Sequence, residues 1–273
     1  MFSLYIFIGL KTMLMSTLNI VDYMLPVEEC RAASNEWKAY FSDFSKIQKL
    51  IPTNYVFNIS SEHLEWMKGF KDYKDFCAAV GVYRDRMILI FYPMNNEGVK
   101  IDVKEYPYSF LTELDKDLRL QEVQEYTVIR NAVLSKNLES TEKNANMGFP
   151  VSNAPILEQD IAVSAIERWR NEGMEWFYKE CRENEGIGIF RKFYVPTADL
   201  CLEDDGLLGI TCSFGLRYND IYGKMLVTLI FISSRANLRN SELGAETISN
   251  TYDWAKPCPP ICRIPDVDVG SGF

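Results

Sequence analysis

The sequence predicts an α+β fold of two similar lobes, each a long amphipathic helix plus an antiparallel hairpin, on a mixed or antiparallel sheet. Three observations predict it. Residues 28–50 and 157–182 carry large apolar side chains at spacings of three and four. Each of these segments is followed by short apolar runs bounded by turn residues. The two halves also echo one another, from Gly81 and Gly215, 134 residues apart, to Phe91 and Phe231, 140 apart. Tyr55-Val56 parallels Tyr194-Val195 in the same way, so the pattern reads as an internal duplication.

The first helix, expected over 28–50, places Ala33, Trp37, Tyr40, Phe41, Phe44 and Ile47 on one face. Glu28 and Glu29 complement its N-terminal dipole, and Pro52 ends it. Residues 55–59 read as a short strand. Ser60 and Ser61 are candidate caps for a short helix that turns Leu64, Met67 and Phe70 inward. Residues 76–83 alternate, Arg84-Asp85-Arg86 turns, and 87–92 is an apolar run ended by Pro93. After a turn at 95–98, Val99, Ile101 and Val103 alternate with Lys100, Asp102 and Lys104, as in a half-solvated strand. Residues 106–137 read as mixed helix and strand.

Ser, Asn, Thr, Gly and Pro crowd residues 137–155, which predicts a linker over 141–155. The second helix turns Ile161, Ala165, Trp169, Trp176, Phe177 and Cys181 inward. Strands are expected over 188–195, 207–218 and 224–233, and a short helix over 241–254. Prolines 257, 259, 260 and 265 exclude a helix beyond that point. The organisation is therefore an N-terminal extension over 1–25, with Met13 and Met15 as alternative starts, and a first lobe over 26–140. The linker, a second lobe over 156–240 and a Pro/Cys tail over 241–273 follow.

With 29 basic and 38 acidic side chains the net charge is −9. Such a chain is repelled by phosphate backbones, and the densest basic run, Arg235 to Arg239, is too sparse to override that field. Nucleic acid is excluded as a partner on this reading. No apolar stretch is long enough to span a bilayer, and the apolar first ten residues lack a preceding positive charge. A cytoplasmic location without membrane contact is expected. Five of the seven cysteines, Cys30, Cys77, Cys181, Cys201 and Cys212, sit in apolar or helical contexts and read as reduced, buried thiols.

The chain has one histidine, His63, which excludes a His-pair metal site. It lies in Ser-Glu-His-Leu-Glu, where a solvated surface imidazole is expected. No phosphate-binding glycine loop, dinucleotide fingerprint or nucleophile elbow occurs. Glu203-Asp204-Asp205-Gly206 reads as a turn, because it lacks the alternating spacing of a calcium loop. No catalytic residue, metal ligand or cofactor is assigned. The most unusual motif is Cys258-Pro259-Pro260-Ile261-Cys262, read as a stiff, extended segment that keeps its two thiols apart.

These observations favour a non-enzymatic protein that acts through protein–protein contacts as a binding, inhibitory or structural subunit. The expected contact is a tail using Trp254, Cys258, Pro259, Pro260 and Cys262. The partner is another protein, a basic one being the complement of the acidic surface. The alternative is an enzyme or a small-molecule-binding protein with its site in the cleft between the two lobes.

Overall fold

Asp43 caps the start of a new helix, so residues 28–50 form two helices and not the single one expected. The computed structural model describes residues 23–114, 117–123, 128–134, 143–147, 159–200, 207–235, 248–252 and 255–262. Strand β1 (Met24–Pro26) leads into α1 (Val27–Ala39), then α2 (Phe44–Leu50), whose first turn is capped by Asp43 accepting from Lys46 N at 3.1 Å. Next come β2 (Tyr55–Ile59), α3 (Ser61–Lys68), β3 (Asp75–Tyr83), β4 (Arg86–Met94) and β5 (Glu105–Glu113). Strands β6 (Leu118–Val123), β7 (Val128–Leu134) and β8 (Lys143–Met147) precede α4 (Gln159–Glu183). The remaining elements are β9 (Lys192–Pro196), the single turn α5 (Thr197–Leu200), β10 (Leu207–Asn219), β11 (Lys224–Arg235), β12 (Ile248–Tyr252) and β13 (Lys256–Cys258).

Several local expectations are corrected. Pro93 does not end its strand; it lies one residue from the end of β4, opposite Phe76 on β3. The alternating segment 99–103 makes only an isolated bridge, Lys100 to Met94, and pairing resumes at Glu105. Residues 143–147, inside the expected linker, pair with β7. Residues 248–252, expected to be helical, pair with β11 instead. Ile161, placed on the inner face of the second helix, is 40% exposed, and Ile166 is buried.

The described strands form one sheet in the order β13-β9-β3-β4-β5-β2-β10-β11-β12-β6-β7-β8, with β1 beside β5. Every pairing is antiparallel except β12 with β6, which meet at Ser249 and Leu120. Strand β9 flanks β3, and β2 flanks β10, so each half's short strand completes the other half's hairpin. Strand β13 pairs with β9 while β12 pairs with β11. Thr228 on β11 donates its hydroxyl to Ala255 O at 2.9 Å, just ahead of β13. The chain from β12 to β13 thus draws the two flanks together, and the sheet is nearly a closed barrel. Among the described residues no helix is long and apolar enough to cross a membrane.

One face of this sheet forms the central core, where Phe57, Phe91, Phe193, Phe214 and Phe231 meet Trp37 of α1 and Trp169 of α4. Ring centroids of Trp37 and Phe190 lie 5.9 Å apart, those of Phe190 and Phe214 5.3 Å, and those of Trp169 and Phe214 4.9 Å. Each fully buried aromatic of this kind stabilises by about 1.5–3 kcal/mol. An exposed ion pair such as Lys179–Glu175 on α4 is screened by water and contributes little. The core, and not the charged surface, fixes where the helices lie.

Each long helix also covers the opposite face of its own hairpin. Cys30 and Ala33 of α1 pack with Ile88, Ile90 and Tyr92, while Ala165 and Ile166 of α4 pack with Ile230 and Ile232. The helices approach closely over glycines. A Cβ on Gly81 would lie 2.9 Å from Ala33 Cβ, and one on Gly215 would lie 2.7 Å from Ile230 Cδ1 and 3.3 Å from Ala165 Cβ.

Gly81→Ala is therefore expected to force α1 off the sheet and cost about 1–3 kcal/mol, as overpacking does. Gly215→Ala is expected to cost less, because its first contact is the movable end of Ile230. Urea unfolding of both variants checks the order; equal or reversed losses would contradict this account of the helix contacts.

Candidate functional site

Pairing of β13 with β9 places Cys258 opposite Lys192, and Arg191 N donates to Cys258 O at 2.8 Å. Beyond Cys258 the chain turns back on itself. The peptide bonds before Pro259 and Pro260 are cis, Ile261 N donates to Pro257 O at 2.9 Å, and Cys258 and Cys262 form a disulfide with Cα atoms 4.8 Å apart. This corrects the expectation of an extended segment with two separated thiols. Prolines 259 and 260 have no N–H to satisfy, so the tight loop leaves no orphan donor at those positions. Cys258 is buried, Pro259, Pro260 and Ile261 are half-buried, and Cys262 is exposed. Trp254, the remaining member of the expected contact, lies outside the described residues.

A cavity of about 200 Å³ lies between this loop and α1. The first half of the chain contributes Ser34, Trp37 and Lys38 from α1 and Ala79 and Val80 from β3. The second half contributes Ile187, Arg191 and Lys192, and the loop adds Cys258, Pro259 and Cys262. Pro260 is not part of the wall. Of the expected tail residues, the structure therefore brings three to the cavity.

The wall carries both polar and apolar residues. Trp37, whose indole N–H donates to Phe190 O at 2.8 Å, is held rigidly against the core. Ile187 is 70% exposed at the rim. Lys38 lies in the last turn of α1, where a cation also suits the helix dipole. Lys192 sets its ammonium 5.7 Å from the ring centroid of Tyr194. The Ser34 hydroxyl is 7% exposed and has no hydrogen-bond partner. No acidic residue lines the cavity among the described residues. Lys38, Arg191 and Lys192 are among the lining residues, on a chain of net charge −9. Sequence reasoning did not bring Lys38 together with the neighbouring Arg191 and Lys192, because α1 and the start of β9 meet only in the fold.

His63 is not a surface residue; it is 5% exposed, which corrects the solvated reading. Its Nε2 lies 2.7 Å from Tyr108 O, a carbonyl, so Nε2 carries the proton. Nδ1 then accepts from Ser60 N at 3.3 Å and from the Ser60 hydroxyl at 2.8 Å. The imidazole fills the role of the third-position side chain of a capping box at the start of α3. Tyr23 packs against its ring at 5.3 Å between centroids. Burial pushes its pKa below the ordinary value, against the weaker pull of the Tyr108 carbonyl and Glu62.

Cys30, Cys77, Cys181 and Cys212 are buried and outside any disulfide, and burial pushes the Cys30 thiol up to about 11. Cys201 and the acidic turn at 203–206 lie outside the described residues. No group of three or more His, Cys, Asp or Glu side chains is placed to hold a metal ion among the described residues. Comparison with known families, characterised proteins and solved structures returns no match.

A buried neutral imidazole makes stability depend on pH in a definite sense. The folded pKa of His63 lies below its unfolded value near 6.5, so its contribution is complete above 6.5 and is lost as pH falls below it. The melting temperature is expected to fall between pH 7 and 5.5, and His63→Gln is expected to flatten that fall. Parallel profiles for the two proteins would contradict the assignment.

Proposed function

We propose that this protein acts by binding another protein, through a surface centred on the disulfide loop at 258–262. The observation that carries this reading is the loop itself: a short, covalently closed segment, tied by its backbone to β9 and edged by the exposed Ile187. A preorganised loop loses little conformational freedom on association, which favours its use as a contact. The net charge of −9 steers a basic partner toward the molecule, while the cations beside the loop suit an acidic group within the contact itself.

The duplication belongs to this proposal. It is supported by the Ala33/Trp37 and Ala165/Trp169 pairs, each with the same spacing, and by the glycine under each alanine. Gly81 faces Ile88 across its hairpin as Gly215 faces Thr228. Strands β2 and β9 differ, however: Tyr194 pairs with Cys77 on β3, whereas Tyr55 pairs with Glu113 on β5. The four buried cysteines outside any disulfide among the described residues favour the cytoplasmic location, and the disulfide counts against it.

A second reading is favoured by one observation: the cavity lies between the two halves, with α1 on one side and β9 and the loop on the other. On that reading the chain binds a small molecule there.

Capture from native host lysate on immobilised full-length protein tests the main reading. A stoichiometric partner is expected on the wild type and on Ile221→Asp in the β10–β11 turn, and its loss on Ile187→Asp. Retention by Ile187→Asp, or absence of any stoichiometric partner, would contradict the reading.

A further inference from the structure

We infer that the Cys258–Cys262 disulfide is a reversible exchange site, opened by a dithiol reductant and closed again by a disulfide oxidant. The bond joins residues four apart, so it ties the end of β13 only to the turn that follows it. A ring that short restrains the unfolded chain less than a long one does. The aromatic core already holds both halves together, so global stability is a poor account of this bond.

Cysteine usage points the same way. Cys30, Cys77, Cys181 and Cys212 are buried and outside any disulfide. Unoxidised thiols fit a reducing environment, where disulfides are transient, catalytic or redox-sensing. A bond that opens and closes reconciles the joined pair with those four.

The two joined cysteines differ in access: Cys262 is exposed, whereas Cys258 is 3% exposed. An exposed disulfide is the labile kind, and an incoming thiolate reaches the Cys262 sulfur. A bond forms between the reductant and Cys262 as the Cys258–Cys262 bond breaks, and Cys258 leaves as a thiolate. The second thiolate of the reductant then attacks its partner sulfur in the mixed disulfide, and Cys262 leaves. Both cysteines take up protons from water, which balance the two that the reductant gives up. Two electrons pass from the dithiol, which ends as a disulfide, to the protein, which ends with two thiols.

What the bond secures is the closing seam of the sheet. Strand β13 is three residues long, and Pro257 at its centre has no N–H to donate. Arg191 N donates to Cys258 O, and Ile261 N donates to Pro257 O inside the disulfide ring. Opening the ring releases the turn that seats Ile261 and weakens both hydrogen bonds. Val80 N donates to Arg191 O from the β3 side and keeps its bond. Cys258, Pro259 and Cys262 also wall the cavity beside Trp37, so the latch unfastens that wall too.

The test equilibrates full-length protein with oxidised glutathione, then with dithiothreitol, then with oxidised glutathione again. Rapid alkylation in denaturant and peptide mass spectrometry read the state of Cys258 and Cys262 at each step. The pair is expected to be joined, then reduced, then joined again, with circular dichroism of the native samples unchanged throughout. On reduction, amide exchange followed by nuclear magnetic resonance is expected to rise about tenfold or more at Ile261 and Arg191, and to hold steady at Val80. Cys262→Ser cannot close the ring and is expected to match the reduced wild type with either reagent. A pair that does not join in oxidised glutathione, or that is reduced only when the protein unfolds, would overturn the exchange site. Reduction that leaves exchange at Ile261 and Arg191 unchanged, or a Cys262→Ser protein that matches the oxidised wild type, would overturn the latch.

Discussion

Strand β9 pairs with β3 from Asp75 to Ala79, and β2 pairs with β10 from Ile210 to Cys212, so neither half of the chain completes its own sheet. This exchange is the constraint on which the rest of the structure depends. A hairpin such as β3–β4 left without β9 would expose a row of unpaired backbone groups along β3. The same pairing carries Phe193 and Val195 into the core beside Phe76 and Ala78, and Phe57 beside Phe214, whose rings lie 5.5 Å apart. Sheet continuity and core continuity are consequently one fact. The cavity follows from it as well, because β9 brings Arg191, Lys192 and the paired β13 alongside α1.

The helices show how far the two halves resemble each other and where they part. Both lay an alanine on a glycine and drive a tryptophan into the common core. Yet the Trp37 indole N–H is paired with Phe190 O, while the buried Trp169 N–H has no partner. Helix α1 also leaves Ser34 and Lys38 at a cavity wall.

Periodicity made the helices and hairpins legible, since their apolar spacing is a local property. The break at Ser42-Asp43 carried its own capping signal, but Trp37, Phe41, Phe44 and Ile47 kept a helical spacing across it, because both helices bury the same side. Pro93 read as a stop because local rules cannot see that the end of β4 tolerates a missing donor. His63 had a readable sign, a serine three residues before it at a helix start, yet its burial depends on Tyr108, 45 residues away. The pairing of Phe57 with Cys212 spans more than half the chain, and the cavity sets Lys38 of α1 beside Arg191 and Lys192 of the second half. Those are tertiary facts, and no window of the sequence contains them. The motif at 258–262 was recognised as unusual, but its prolines suggested extension where the backbone reverses.

Equilibrium unfolding in urea, followed at once by tryptophan fluorescence and far-ultraviolet circular dichroism, tests the central claim most directly. If the exchanged strands bind the halves into one cooperative unit, both signals follow a single transition with one midpoint. Two separated transitions, or midpoints that differ between the probes, would mean that the halves fold independently and would contradict the account.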